Sequence, residues 1–464
     1  MEKKCFTIET RVEKEQFPMG YFERDMAKQN RLFRIVWKFI KEKKYTQSQL
    51  NTYLQATYHI DKRTANTLIQ TAKGRWKALK ELKILERANL VTKISTIEKQ
   101  IKKSKEDLEE LKRKVTENRA TEKQLIKYRK LKRKIWQKKQ RLNRMRQQLA
   151  KYDRQEKEED YPICWGGKRF FKAQYFLKEN GFRSHEGWLH AYQRKRDGQV
   201  NFIGAAEEPK GNQNCQLTYD KEQDCFSLRV RKDLEFMKDK QDKFFVISGL
   251  QFSLHREKLI QTIQEGNTPF TFRVLRRGKK WYLQVIFTWV QDENNRISDT
   301  SCGVIGLDFN DGFISFAETD YYGNLTELRH VPLRYHGTGN KADSELQEVL
   351  AQMVQLAKGK GKPIAIENLN FKKTKAGIVK SYGKFGKEYH KMVHALDYSR
   401  YMKRLENACF RESIRLLFVS PAYTSQIGME KFAGRMKLNR HQAASFVIAR
   451  RGQGFKDRLR KVSS

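Results

Sequence analysis

Two acidic residues, each at the end of a short apolar run, are the best candidates for chemistry in this sequence. Asp308 follows residues 303–307 and Glu367 follows residues 363–366, and both runs have the length and composition of buried strands. Either carboxylate alone would be unremarkable at a strand end. Together they match two-metal phosphodiester cleavage, in which carboxylates hold two Mg²⁺ or Mn²⁺ ions about 3.5–4 Å apart. The pair therefore indicates a metal-dependent site for phosphodiester hydrolysis.

The segments around these acids predict the elements that would position them. From about residue 301 the pattern alternates strands with amphipathic helices, which is typical of an α/β domain. The order is strand, hairpin partner, helix, strand, helix, strand, helix, with one acid ending each of two buried strands. This is the order of an RNase H-like fold. The predicted strands are 303–309, 313–318, 362–367 and 414–419, and the predicted helices are 343–358, 397–412 and 440–451.

Three short motifs in this region resemble those of a nuclease family. Residues 306–310 (GLDFN) resemble the first RuvC motif of the TnpB-family transposon nucleases and the related type V CRISPR effectors. Residues 366–371 (IENLNF) resemble the second motif, and residues 419–426 (VSPAYTSQ) resemble the strand before the third. The motifs come in the family's order with suitable gaps, over about residues 300–455. The resemblance implies that Asp308 and Glu367 are catalytic metal ligands.

The third motif departs from the family pattern. The family usually reads Asp-x-Asn-Ala-Ala-x-Asn-Ile, whereas residues 441–448 read HQAASFVI. A gapless match on the closing Ile places His441 where the Asp belongs, and an anchor on residues 442–444 places Arg440 there, where it would repel a metal. We predict His441 as the third catalytic and metal residue, because imidazole can ligate a metal or act as a general base near neutral pH.

Two alternatives to His441 follow from the same residues. In the first, His441 only begins a helix and has no metal role, so the site has two carboxylates and cleavage is weak or absent. In the second, another acid, such as Asp397 or Glu430, completes the site. The family also usually carries four cysteines as a zinc ribbon before the third motif. Residues 427–437 contain no Cys. We therefore expect Mg²⁺ or Mn²⁺ as the cofactor and no zinc.

The rest of the chain predicts a multidomain α+β protein. A short strand within residues 1–20 precedes helical patterns over 21–160, which include a coiled-coil hairpin at 91–155 with a cap at Thr121. Residues 161–300 alternate as strands, with hairpins at 215–230 and 270–287. The resemblance implies a wedge strand (1–20), a helical recognition lobe (21–160), a β-rich wedge domain (161–300), a RuvC-like nuclease domain without a zinc ribbon (301–455) and a basic tail (456–464).

Basic residues concentrate on the second helix of the predicted hairpin, on the turn of the 270–287 hairpin and near the C-terminal end. A solvated helix face would mix both signs of charge, but acids are almost absent from the middle of this helix. A contact with a phosphate backbone is the better interpretation there. For the hairpin turn, a solvated loop is an equal alternative. The predicted nucleic-acid-binding residues are Lys130, Arg133, Lys134, Lys138, Arg141, Arg276, Arg277, Lys279, Lys280, Arg450 and Arg451.

The composition narrows the classes of function. The 464 residues include 96 Lys and Arg against 54 Asp and Glu, a formal net charge of +42, and 38% are hydrophobic. That is too apolar for a wholly disordered basic protein. No apolar run approaches the roughly 20 residues of a membrane span. The charged N-terminus argues against secretion, and the scattered cysteines fit a reducing compartment. The resemblance implies a prokaryotic cytoplasm, with the protein at the nucleoid when bound to DNA. So large a charge is destabilising by self-repulsion, which favours nucleic acid as the partner.

Three functions are compatible with these observations. The resemblance implies an RNA-guided DNA endonuclease that binds a guide RNA and a double-stranded DNA target beside a short adjacent motif, and no membrane. The missing third Asp allows a nuclease-inactive, RNA-guided DNA-binding repressor. A guide-independent RNase H-like enzyme, such as a junction resolvase or transposase, is the third possibility.

Overall fold

The computed structural model describes residues 2–13, 17–237, 243–266, 268–291, 293–310, 312–334, 339–369 and 398–459. The chain divides into two compact units. The N-terminal unit comprises Lys3–Ile94 and Ile101–Trp289, and the C-terminal unit comprises Val290–Ser464 with Met1–Glu2 and Ser95–Gln100. Helices and strands occur in both units, so the protein has the mixed α and β composition that the sequence predicts.

Four helices follow the first strand of the N-terminal unit. Two of them confirm the predicted hairpin, and the side chains of Thr121 and Gln124 form a reciprocal capping box at the start of its second helix. The first helix of the hairpin is longer than predicted. It begins at Lys62, not near residue 91, because the Asp61 side chain caps it by accepting from the backbone N–H groups of Arg63 and Thr64. The elements are β1 (Lys3–Val12), α1 (Met19–Lys41), α2 (Gln47–Tyr58), α3 (Lys62–Thr116) and α4 (Glu122–Lys157).

Two antiparallel sheets share one apolar core in the N-terminal unit. A four-stranded sheet has the order β1-β7-β6-β2, and a three-stranded sheet has the order β3-β4-β5. Phe226 and Phe272, one from each sheet, are fully buried in this core. Both predicted hairpins, β3–β4 and β6–β7, are confirmed. The strands are β2 (Gln199–Phe202), β3 (Cys215–Asp220), β4 (Cys225–Arg231), β5 (Phe244–Leu250), β6 (Thr271–Arg277) and β7 (Lys280–Val290).

The predicted strand-rich region also contains helices that the alternation did not reveal. Three of these are α-helices, and the aromatic side chains of Trp188 and Tyr192 on the second are buried in a small cluster with Ala173. Trp281 is also buried, and Trp165 is half-buried. The helices are α5 (Lys168–Lys172), α6 (His185–Arg196) and α7 (Arg256–Glu265).

A mixed five-stranded sheet forms the centre of the C-terminal unit. Its order is β10-β9-β8-β11-β12; β8, β9 and β10 are antiparallel neighbours, and β8, β11 and β12 run parallel. The predicted elements are confirmed, and β10 is an addition. The strands are β8 (Ile305–Asn310), β9 (Phe313–Thr319), β10 (Leu325–Pro332), β11 (Ile364–Glu367) and β12 (Leu416–Val419).

Helices cover both faces of this sheet. Leu350 of α8 and Leu405 of α9 are fully buried in one core with Leu307 of β8. The last helix, α11, packs across β8, β9 and β11. The helices are α8 (Asn340–Gly359), α9 (Tyr398–Arg411), α10 (Thr424–Gly428) and α11 (Arg440–Gln453), with a π-helical turn at Met429–Ala433 and a further turn at Gly434–Met436 between the last two.

Gly306 allows the close approach of α11 to β8. A Cβ atom at this position would lie 2.2 Å from the backbone oxygen of Ser445 and 2.5 Å from the backbone nitrogen of Ala449. Both distances are far inside van der Waals contact, so only glycine fits here. The first motif therefore needs its glycine to seat the last helix on the strand that carries Asp308.

Within the described ranges, no helix combines the length and the apolar composition that crossing a membrane requires.

Candidate active site

The two carboxylates predicted from the sequence lie on neighbouring strands. β8 and β11 pair in parallel, with Leu307 opposite Ile366. The next residue of each strand is therefore an acid, Asp308 on β8 and Glu367 on β11. Because the strands are parallel, both side chains lie at the same edge of the sheet. The prediction that buried strands deliver these acids to one place is consistent with this register.

The environment of Glu367 opposes its ionisation. Burial raises the pKa of Glu367 to about 7, and the negative charge of Asp308 acts in the same direction. A hydrogen bond from the Thr424 hydroxyl to Oε1 of Glu367 and the positive charge of Arg451 act in the opposite direction. The register of β8 and β11 places the two carboxylates on adjacent strands, where their charges repel, and a cation between them would relieve the repulsion.

His441 lies in the first turn of α11 and faces Asp308. The Asn439 side chain caps this helix by accepting from the backbone N–H groups of His441 and Gln442. The Nδ1 atom of His441 is 3.2 Å from Oδ2 of Asp308. The imidazole also packs edge-on against the ring of Phe313, with the centroids 5.1 Å apart. Its side chain is 41% exposed, so the other face of the ring is accessible to a substrate.

The contact between His441 and Asp308 favours the alignment of the third motif that selects His441 over the one that selects Arg440. Arg440 is exposed and lines a surface cavity with Met429 and Glu430, on the C-terminal unit. Glu430 lies on the π-helical turn before α11. Asp397, the other acid considered for completing the site, lies outside the described residues. The catalytic roles of Asp308, Glu367 and His441 stay predictions.

Three side chains that support the site were not predicted in that role. Nδ2 of Asn310 donates to Oδ2 of Asp308 over 2.9 Å, and the buried hydroxyl of Thr424 donates to Glu367. Arg451, near the end of α11, donates to the backbone oxygens of Ser420 and Ala422, which follow β12. The signal for the first two was present, since Asn310 and Thr424 belong to the quoted motifs. Arg451 was predicted only as a nucleic-acid contact.

The fit of a divalent cation rests on the carboxylate pair. Two oxygen-donor groups with unbalanced negative charge suit Mg²⁺ or Mn²⁺ better than softer metals. In the part of the chain that the structure describes, no group of three or more His, Cys, Asp and Glu side chains has an arrangement that could hold a metal ion. His441 contacts Asp308 directly. The residues therefore fit a cation held by Asp308 and Glu367, and His441 as its third ligand stays a prediction.

Some of the predicted nucleic-acid-binding side chains are exposed or half-buried, and the others make contacts within their own unit. On α4, Lys130, Arg133, Lys134 and Arg141 are exposed, and Lys138 is half-buried. On the β6–β7 turn, Lys279 and Lys280 are exposed. The remaining four are engaged within their own units: Arg276 pairs with Glu23, Arg277 with Glu9, Arg450 with Asp457, and Arg451 donates to backbone oxygens.

No family model matches the sequence, and no curated protein does. Structures similar to this one include T. thermophilus RuvC in complex with a Holliday junction substrate, at 14% identity over 32% of this chain and 88% of that chain, with a TM-score of 0.22. A Cas12f1–sgRNA–target DNA complex matches at 12% identity over 54% of this chain and 66% of that chain, with a TM-score of 0.23. A Cas12i1 R-loop complex after target DNA cleavage matches at 10% identity over 87% of this chain and 49% of that chain, with a TM-score of 0.24.

Proposed function

We propose that the C-terminal unit is a metal-dependent nuclease that hydrolyses DNA phosphodiesters, and that the whole chain acts as an RNA-guided DNA endonuclease of the TnpB type. The observation that carries the nuclease proposal is the convergence of Asp308 with both Glu367 and His441. Asp308 lies 3.2 Å from His441, and its charge raises the pKa of Glu367. Residues from β8, β11 and α11 thus meet at one sheet edge.

In this proposal each side chain has a distinct task. Bound at Asp308 and Glu367, a divalent cation supplies Lewis-acid stabilisation of the charge that develops on the phosphate. Thr424 holds the Glu367 carboxylate and favours its ionised form. When Nδ1 of His441 donates to Asp308, the Nε2 atom has the lone pair and can accept a proton from the attacking water. Asn310 donates to the same oxygen, Oδ2 of Asp308, and helps to fix the carboxylate.

The RNA-guided part of the proposal rests on charge and on the motifs. The chain has a net charge of +42, and exposed lysines and arginines follow the surface of α4. A surface of this kind suits contacts with phosphate backbones. In a guided enzyme the sequence of the target is selected by base pairing, so the protein needs mainly backbone contacts. We propose a guide RNA as the partner because the three motifs resemble those of the TnpB family.

The direct test is to purify the protein with co-expressed RNA and to offer DNA that matches this RNA, with Mg²⁺. We expect cleavage in the wild type and its loss in Asp308→Ala. Glu348→Ala is the matched control, because it removes one exposed carboxylate from α8 of the same unit. The assignment of the site is wrong if Asp308→Ala still cleaves in a metal-dependent way. If no defined RNA copurifies, a guide-independent nuclease or transposase is favoured.

A second function, a guided DNA-binding repressor without nuclease activity, is favoured by one observation. Within the described residues the site lacks a three-residue cluster for a metal, and a histidine stands where the family has an aspartate. In that case the protein would bind matching DNA, cleave none of it, and bind equally well after Asp308→Ala. Binding and cleavage measured on the same DNA separate the two functions.

A further inference from the structure

A basic cavity of about 430 Å³ lies within the N-terminal unit, remote in sequence from the residues of the nuclease site. Its walls come from α1, α3, α6 and the edge of the four-stranded sheet at β2, β6 and β7, with the turn at Trp165 and Gly166. Seven of the fifteen lining residues are Arg or Lys, and none is Asp or Glu. A concave site with such a lining attracts anions.

Nearby carboxylates neutralise only part of this charge. Asp197 accepts from both Arg34 and Arg196. Glu23 pairs with Arg276, and Glu9 pairs with Arg277. Three carboxylates therefore serve four of the seven cations, and one of them is shared. An excess of positive charge remains on the other lining residues.

Arg75 and Arg273 are the arginines of the lining whose contacts are with neutral groups. Arg273 donates from Nε to Asn201 over 2.9 Å and from Nη1 to Gln284 over 3.1 Å. Arg75 lies over the ring of Phe33, 4.9 Å from its centroid. Among the described residues neither guanidinium has a carboxylate within ion-pair distance. The two amide side chains orient Arg273 without neutralising it.

The charge of Arg273 also acts on the guanidinium of Arg75. Loss of surrounding water and then the charge of Arg273 lower the pKa of Arg75, and burial lowers the pKa of Arg273. Two like charges held together in a cavity are destabilising when the cavity is empty. A bound anion between them would remove this cost, and the paired nitrogens of arginine suit a phosphate better than a spherical ion.

The size of the cavity limits the anion. A volume of about 430 Å³ accommodates one nucleotide and excludes a duplex. Trp165, which is half-buried and packs edge-on against Phe33 and Trp37, adds an aromatic surface beside the cations. A terminal phosphate has a charge near −2, whereas a phosphodiester has −1. The unbalanced charge around Arg75 and Arg273 therefore favours the terminal group.

We propose that this cavity binds the terminal phosphate and terminal nucleotide of a single-stranded nucleic acid, with Arg75 and Arg273 on the phosphate. The cavity would thus anchor the end of a strand, which differs from the sequence-independent grip along a backbone that the exposed face of α4 offers. The proposal concerns residues of the N-terminal unit alone and does not depend on whether the C-terminal unit cleaves DNA.

The test compares the binding of two short oligouridines that differ only in a 5′-phosphate, by fluorescence polarisation on full-length protein freed of nucleic acid. Contacts along the backbone are the same for both probes and cancel in the ratio of their dissociation constants. We expect the phosphorylated probe to bind at least about tenfold more tightly, as a charge-assisted contact with a phosphate implies. A 3′-phosphorylated oligouridine and a 5′-phosphorylated oligothymidine identify which end and which nucleic acid the cavity prefers.

Two substitutions test whether the preference for a terminal phosphate arises in this cavity. Arg273→Gln and Arg75→Gln should each reduce the ratio towards one, and Lys221→Gln, an exposed charge on the β3–β4 turn, should leave it as in the wild type. Within the described residues the guanidinium of Arg75 lies over the ring of Phe33 and makes no hydrogen bond, so this variant should fold even if Arg273→Gln does not. The proposal fails if none of the terminal phosphates strengthens binding, or if the preference survives in Arg75→Gln. Asp308→Ala should leave the preference for a terminal phosphate unchanged, so this test is independent of the nuclease proposal.

Discussion

The hydroxyl of Thr424 donates a hydrogen bond to Oε1 of Glu367, and it does so from the first residue of a helix that begins after β12. Thr424 is buried, so water cannot easily replace it. The bond lowers the pKa of this carboxylate, which burial nevertheless raises to about 7. A neutral carboxylic acid is a poor metal ligand, and the threonine therefore increases the ionised fraction of Glu367 at neutral pH.

Thr424→Val should shift the pH dependence of cleavage. Without the hydroxyl the pKa of Glu367 rises further, so the activity measured between pH 6 and 9 should be lowest at the acidic end and recover as the pH rises. Thr424→Ser, which keeps the donor, should follow the wild-type profile. A uniform loss of activity at every pH in the valine variant would contradict this role, because it would indicate a structural defect.

His441→Ala should reduce single-turnover cleavage by about 10²-fold or more if the imidazole acts as the general base. His441→Asp restores the residue that the family has at this position, and it should retain activity if the position holds a metal. The pair of variants thus separates the two roles of one side chain. Unchanged cleavage in His441→Ala would assign His441 only the task of beginning α11.

Gly306→Ala should destabilise the C-terminal unit, because its Cβ atom would lie 2.2 Å from the backbone oxygen of Ser445. Forcing β8 and α11 apart should cost about 1–3 kcal/mol or more, which thermal unfolding would detect. Gly359→Ala is the control. No described atom lies within 4 Å of a Cβ at this end of α8, and alanine there should raise stability by up to about 1 kcal/mol. Equal melting temperatures for the two variants would contradict the packing argument.

The stability of the N-terminal unit should fall as the pH rises from about 4 to 7. Asp25 is 1% exposed, and burial raises its pKa from 3.8 to about 7, although Gln29 hydrogen-bonds to it. In this window the folded state retains a proton that the unfolded chain has released. The proton on Asp25 therefore stabilises the folded state fully below about pH 4. Up to roughly 4 kcal/mol of the free energy of unfolding is lost as the pH rises to 7.

Asp25→Asn removes this titration, so the free energy of unfolding of the variant should vary less between pH 4 and 7 than that of the wild type. Denaturant unfolding at several pH values measures it. Asp107→Asn, on the exposed surface of α3, controls for the change in net charge. Parallel pH profiles for the wild type and Asp25→Asn would show that another group is responsible.

Local patterns predicted much of the fold. The alternation of β6 and β7, the capping box at Thr121 and the apolar runs before Asp308 and Glu367 each determine an element within a few residues, and all are present. The length of α3 could not be predicted from local patterns, because no glycine or proline pattern marks its boundary. The helix runs without a break through residue 91, where the prediction placed one. The strand β10 has little buried surface, so its sequence shows weak alternation.

The site was predictable where strand order determines it and not where tertiary contacts do. Parallel pairing of β8 and β11 follows from the α/β pattern and brings Asp308 and Glu367 to one edge. The choice of His441 over Arg440 was ambiguous in the sequence, since it depends on the rotation of α11 about its axis. The role of Thr424 depends on a contact across 57 positions in the chain, which no local pattern encodes.

Helix α11 contacts the neighbourhood of the site at both of its ends. His441 in its first turn faces Asp308, and Arg451 in its last turn holds the backbone after β12. One residue inserted between them would turn everything beyond it by about 100° and advance it by about 1.5 Å. Every insertion or deletion in the gene within this 14-residue helix should therefore disrupt the site, whereas length changes should be admissible ahead of Asn439.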